Sequence, residues 1–130
     1  MNEFILQKNS IQEIPAFLVT RVSGFSESAE YKELRDYELD IPGVVCGVFA
    51  KYLCKMHERR LEGHTDESVN SAISSAHEAI EVLASSPEST SRELVTDEIY
   101  ENLDCKENVL EQIRSHLKPE SRALYQRWND

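Results

Sequence analysis

The stretch DIPGVVCGVFAKYLCKMHERRL, residues 40–61, decides the fold. Asp40-Ile41-Pro42-Gly43 opens a helix that runs to about Leu61, with proline where the loss of an amide costs least. Val45, Val48, Phe49, Tyr52, Leu53 and Met56 recur at helical spacing and make a wide apolar stripe. Cys46, Ala50 and Cys54, four residues apart, form a flank of small side chains that lets another helix approach closely. Lys51, Lys55, Arg59 and Arg60 bias the carboxyl end toward positive charge, which suits the helix dipole. Gly63 is the natural stop. Residues 41–53 are also the longest apolar candidate, but with Pro42, Gly43, Gly47 and Lys51 they fall short of the ~20 residues that span a membrane.

Upstream, Ser10-Ile11-Gln12-Glu13 reads as a capping box ahead of a helix carrying Ile11, Ile14, Phe17, Leu18 and Val22 along one side and ending near Gly24. Residues 2–8 read as a short helix or an extended arm. Residues 26–40 hold six acids and two bases around Tyr31, Leu34 and Tyr37, which predicts a surface helix and a second place where a partner could dock.

Downstream, Thr65 or Asp66 caps a helix to about Ser85 with Val69, Ala72, Ile73, Ala76, Ile80, Leu83 and Ala84 as its inner face. A serine-rich loop covers 85–91. A helix over roughly 92–103, re-capped at Thr96, presents Leu94, Val95, Ile99 and Leu103. Another over about 106–117 presents Val109, Leu110, Ile113 and Leu117. Pro119 then starts the last helix, where Leu124 and Trp128 can cover the open end of the core.

A chain of 130 residues suits one domain, 1–130, able to bury a core without disulfides or metals. Hydrophobic residues at 40% and charged residues at 29% exclude a disordered chain, and four glycines with four prolines are too few for an all-β fold. The fold class expected is all-α: a single-domain bundle, or a short stack, of about six to seven helices joined by short turns.

Three cysteines, Cys46, Cys54 and Cys105, do not make a disulfide framework. Cys46 and Cys54 stand roughly 12 Å apart along one helix and cannot pair within it. Cys105, at a helix junction, is the more accessible thiol, although Asp104 disfavours its thiolate. Met1-Asn2-Glu3-Phe4 lacks the basic start and apolar stretch of a signal peptide, so a cytoplasmic location is expected.

Searches for chemistry come back empty. His57-Glu58 begins like the zinc-protease helix motif, but Leu61 stands where its second histidine belongs. His64, His77 and His116 read as isolated surface or packing residues, and no histidine lies at metal-ligand spacing with a cysteine. No glycine-rich phosphate loop, nucleophile elbow or EF-hand loop occurs. No catalytic residue, metal or cofactor is expected. Aromatics do not interleave with Lys and Arg as in single-strand nucleic-acid binders, and Glu58 and Glu62 dilute the basic cluster at 51–60 toward an internal salt-bridge role.

The net charge of −10 is unevenly spread. Residues 1–60 hold nine acids and eight bases, and residues 105–130 four acids and five bases. Residues 61–104 hold eleven acids against Arg92 alone, and so carry the whole excess. Such a field repels nucleic acid and anionic membranes and attracts a basic protein surface.

Ile14-Pro15-x-Phe17, the run Pro42-Gly43-Val44-Val45-x-Gly47-Val48-Phe49-Ala50-Lys51-Tyr52-Leu53, Leu94-Val95-x-x-x-Ile99-x-Glu101-Asn102-Leu103 and Leu117-x-Pro119-x-Ser121-x-x-Leu124 resemble a family of small uncharacterised bacterial helical proteins. In size, acidity and lack of chemistry the chain also resembles immunity proteins of contact-dependent growth inhibition and related polymorphic toxin systems. That resemblance implies a basic, nuclease-type toxin domain as partner, its active site covered by carboxylates that stand in for phosphates. Glu67, Glu78, Glu81, Glu93, Asp97, Glu98, Glu101 and Asp104 are then the interface residues. The alternatives are an acidic regulatory adaptor or nucleic-acid-mimicking anti-defence protein, and a small helical enzyme built on scattered carboxylates.

Overall fold

The computed structural model describes residues 10–130; the expected arm or helix over 2–8 lies outside the described residues. Among the described residues there are seven α-helices and no strand: α1 (Ile14–Arg21), α2 (Ala29–Lys32), α3 (Pro42–Leu61), α4 (Glu67–Ala84), α5 (Ser89–Leu94), α6 (Glu107–His116) and α7 (Pro119–Asn129). The all-α single domain expected from the sequence is what forms.

Helix α3 is the axis. It packs against α1, α2, α4, α6 and the segment that follows α5. Val45, Cys46, Phe49, Ala50, Tyr52, Leu53, Cys54, Met56 and His57 are all buried, far more than one stripe, because neighbours cover it from several sides. Its end is a Schellman motif: Gly63, at φ +104°, donates to the Arg60 carbonyl at 3.1 Å, and the His64 amide to that of Arg59 at 3.0 Å. The flank of small residues does admit a neighbour. A Cβ on Gly43 would lie 3.3 Å from the Glu98 carboxylate, and one on Gly47 would lie 3.4 Å from the Asn102 side-chain amide. The visitor is therefore the stretch of chain beyond α5.

Three expectations need correction. Residues Ser10–Glu13 form a 3-10 turn, and α1 begins at Ile14 with Glu13 at its N-cap and no side-chain cap bond. The box residues thus make a separate turn, and Pro15 falls within the first turn of α1, where its missing amide leaves no gap. Residues 26–40 are not one helix. They break into a 3-10 turn (Phe25–Glu27), the single turn α2 capped by Ser28, and a 3-10 turn (Asp36–Glu38). Tyr31 and Leu34 are half-buried while Tyr37 is 65% exposed, so the core holds only the start of the segment. The loop at 85–91 is shorter than expected, since α5 begins at Ser89.

Gly24, at φ +79°, ends the α1 region, and the Tyr52 hydroxyl donates to the neighbouring Ser23 carbonyl at 2.7 Å. At the far end the Tyr100 hydroxyl donates to the Ser121 carbonyl at 2.7 Å, and its ring packs edge-on against Tyr125. Trp128 lies against both rings and Leu124 is buried, so α7 covers that end of the core.

Candidate functional site

Residues 89–102 run as one helix of changing pitch. The α-helical Ser89–Leu94 widens into a π-helix at Val95–Ile99 and tightens into a 3-10 turn at Tyr100–Asn102. The reason is visible in the burial pattern. Ser91, Val95 and Ile99 are all buried, a period of four. In a regular α-helix every fourth residue drifts by roughly 40° around the axis, so three in a row would leave the core. A wider turn cancels the drift, and π turns of this kind occur often at functional sites. Thr96 does not re-cap a helix here; its hydroxyl donates to the Glu93 carbonyl at 3.1 Å, inside the helix.

The same period of four sets the outer side. Glu93, Asp97 and Glu101 are all exposed and follow one another along a ridge of roughly 12 Å. The Thr96 hydroxyl also reaches the Asp97 carboxylate at 3.2 Å. Nothing cationic neutralises the ridge. Arg92, the lone base between 61 and 104, gives its guanidinium to the Ser86 carbonyl at 2.6 Å. Among the described residues the ion pairs are Lys55–Glu30 and Arg114–Glu107, and neither includes an acid of that segment.

The eight acids chosen from the sequence do not form one patch. Glu81 accepts the backbone amides of Glu120 at 3.0 Å and Ser121 at 2.9 Å, so it caps the start of α7. Glu98 is half-buried against Gly43 in the first turn of α3, where the helix dipole favours a negative charge. These two serve the ends of other helices. Glu67 and Glu78 are exposed on α4, with Glu78 beside a shallow groove lined by Phe17, Arg21 and Val82. Asp104 is exposed on the wall of a different cleft, with Lys51, Lys55 and Lys106. Glu93, Asp97 and Glu101 remain as a coherent group.

Sequence reading missed two constellations. His57, His77 and His116 are not isolated: three helices bring their rings together, with centroids 5.0–5.4 Å apart. His57 and His77 are buried, and their Nε2 atoms lie 2.9 Å apart, so one imidazole donates and the other accepts. Burial holds both neutral, pushing His57 down to about 4, with His116 and Arg60 adding to it. His77 is pushed down to about 3, again by burial first, then by His57, His116 and Lys118. The Nδ1 of His116 donates to the Gln112 carbonyl at 2.9 Å. The rings stack rather than converge, and among the described residues no group of three or more His, Cys, Asp or Glu is placed to hold a metal ion. His64 stays exposed at the end of α3.

The second is a sulfur contact. Cys54 on α3 meets Cys105 at 3.1 Å, across 51 residues of chain, while Cys46 is fully buried with its thiol pushed up to about 12 by burial and by Glu98. Among the basic residues of α3, Lys55 pairs with Glu30 at 3.2 Å, in keeping with the internal role expected for that cluster. No helix among the described residues is long and apolar enough to cross a membrane.

No curated protein and no solved structure matches the chain. One family does, over residues 16–130, from the first helix through the ridge to the carboxyl terminus. The chain belongs to that family, described as a domain of unknown function (DUF7674).

Proposed function

We propose that this chain is a binding protein whose ridge of Glu93, Asp97 and Glu101 docks on a basic protein surface, and that it acts as the immunity protein of a toxin system. The observation that carries this reading is the uncompensated charge. Residues 61–104 hold eleven acids and one base, and that base is turned onto a backbone carbonyl. A helix that widens to keep three carboxylates in line presents them as a fixed row, at a spacing similar to that of successive phosphates. Such a row favours encounter with a basic, nuclease-type domain and can occupy its phosphate-binding groove. A cytoplasmic location follows from this role.

The test is co-expression with the toxin-like domain encoded directly upstream, read by growth rescue and by co-elution of the complex. The triple reversal E93K/D97K/E101K should weaken binding at least tenfold, and raising salt from about 50 to 500 mM should weaken the native complex similarly. Binding indifferent to both would overturn the electrostatic reading. Rescue without co-elution would point instead to an adaptor acting on a third component.

A further inference from the structure

The cleft beside the ridge, about 570 Å³, is lined by Lys51, Cys54, Lys55, Glu58, Asn102, Asp104, Cys105 and Lys106, and it opens onto the contact between the two sulfurs. Cys54 is anchored within the long helix α3, buried and unable to retreat. Cys105 is half-buried and sits in the irregular stretch between Asn102 and Glu107, where the backbone is not bound into a helix. At 3.1 Å the sulfurs need only about 1 Å more to reach bonding distance. That movement falls on the irregular side. We propose that Cys54 and Cys105 form a reversible dithiol site that closes to a disulfide by exchange with a small-molecule disulfide entering this cleft.

The order of events follows from the geometry. Cys105 faces the cleft, and Cys54 donates its S–H toward the Cys105 sulfur, which favours the Cys105 thiolate. Cys105 therefore loses its proton and attacks one sulfur of the incoming disulfide. A mixed disulfide forms, and the first small thiolate leaves and takes up a proton. Cys54 then loses its proton and attacks the Cys105 sulfur, forming the Cys54–Cys105 bond and expelling the second small thiol. Two protein thiols are oxidised to one disulfide, and one small disulfide is reduced to two thiols. Burial raises both protein thiols above their ordinary range, so the exchange is slow rather than absent. Lys51, Lys55 and Lys106 around the opening suit an anionic disulfide, and in a reducing compartment the bond would be transient, as in redox-sensing proteins.

The test uses the full chain with oxidised glutathione, followed by intact mass and peptide mapping after alkylation. The expected product has lost two hydrogen atoms, links Cys54 to Cys105, leaves Cys46 alkylatable after unfolding, and returns to the starting mass with dithiothreitol. Because the bond closes a loop of about 50 residues, the oxidised protein should melt about 10 °C higher. Cys54→Ser should stop at a mixed disulfide on Cys105, carrying one glutathionyl group, and Cys105→Ser should not react in the folded state. A native chain that keeps a glutathionyl group on Cys105, links two chains through Cys105, or stays reduced after a day of exposure would overturn the proposal. Circular dichroism of both variants separates a lost fold from a lost reaction.

Discussion

Lowering the pH from 7 to 5 should cost this fold roughly 4 kcal/mol, through His57 and His77 alone. In the unfolded chain an imidazole titrates near 6.5. In the folded chain burial holds both rings neutral to below pH 5, and protonating both would set two N–H groups against each other across a 2.9 Å contact. The unfolded state therefore binds more protons than the folded state between these limits, and stability falls with pH. It is at its full value above about pH 6.5 and declines until the folded values near 4 and 3 are reached. Over the interval from 7 to 5 each histidine contributes about 1.9 kcal/mol, and the sum is a large share of the stability usual for a domain of this size. The assay is urea unfolding at pH 7, 6 and 5, followed by far-ultraviolet circular dichroism. Replacing both rings, His57→Phe with His77→Leu, removes donor and acceptor together and should flatten the pH dependence even if repacking shifts the absolute stability. A native loss below about 1 kcal/mol over these two pH units, or NMR titration of either ring near 6.5 in the folded protein, would refute the reasoning.

Further outcomes test the structural roles described above. Gly24→Ala should destabilise by about 2 kcal/mol, because its backbone is left-handed and a Cβ there would lie 2.7 Å from the Tyr52 hydroxyl. Gly63→Ala, left-handed but with nothing within 4 Å, should cost about 1 kcal/mol, so the order of the two melting temperatures is the measurement. Glu81→Ala should cost about 1 kcal/mol by leaving two amides of α7 without their acceptor, and should leave partner binding unchanged. Ser91 is fully buried and its hydroxyl has no hydrogen-bond partner among the described residues, so Ser91→Ala should stabilise by about 1 kcal/mol in thermal unfolding.

Much of the scaffold was legible in the sequence where apolar periodicity and boundary residues agreed. Helix α3 was readable because Pro42 and Gly63 bracket a dense apolar stripe, and α7 because Pro119 marks its start. Residues 26–40 were misread because charged residues carry no periodic burial signal and Tyr37 anchors nothing. The histidines escaped because 20 and 39 residues separate them on three helices, and sequence spacing holds no information about which helix faces which. The sulfur contact escaped for the same reason, although the small flank of α3 did signal a close neighbour. Among the acids the charge excess was plain from composition. The roles of Glu81 and Glu98 depend on helix ends brought from 39 and 55 residues away, and only the folded chain shows them. One available signal was passed over: Ser91, Val95 and Ile99 repeat every four residues, between the periods of an α-helix and a π-helix.

The widened turn at Val95–Ile99 also fixes the length of the chain around it. Removing one residue there would restore a regular α-helix, but would turn everything beyond it by roughly 100° and draw it back by about 1.5 Å. Asn102 would then miss Gly47, Tyr100 would miss the Ser121 carbonyl, and Cys105 would miss Cys54. An extra residue would fail in the opposite sense. Family members that keep these three contacts must keep the same number of residues between Ser91 and Cys105, while the turn before Ser89 is free to lengthen. In this segment the count of residues is inherited as strictly as their identity.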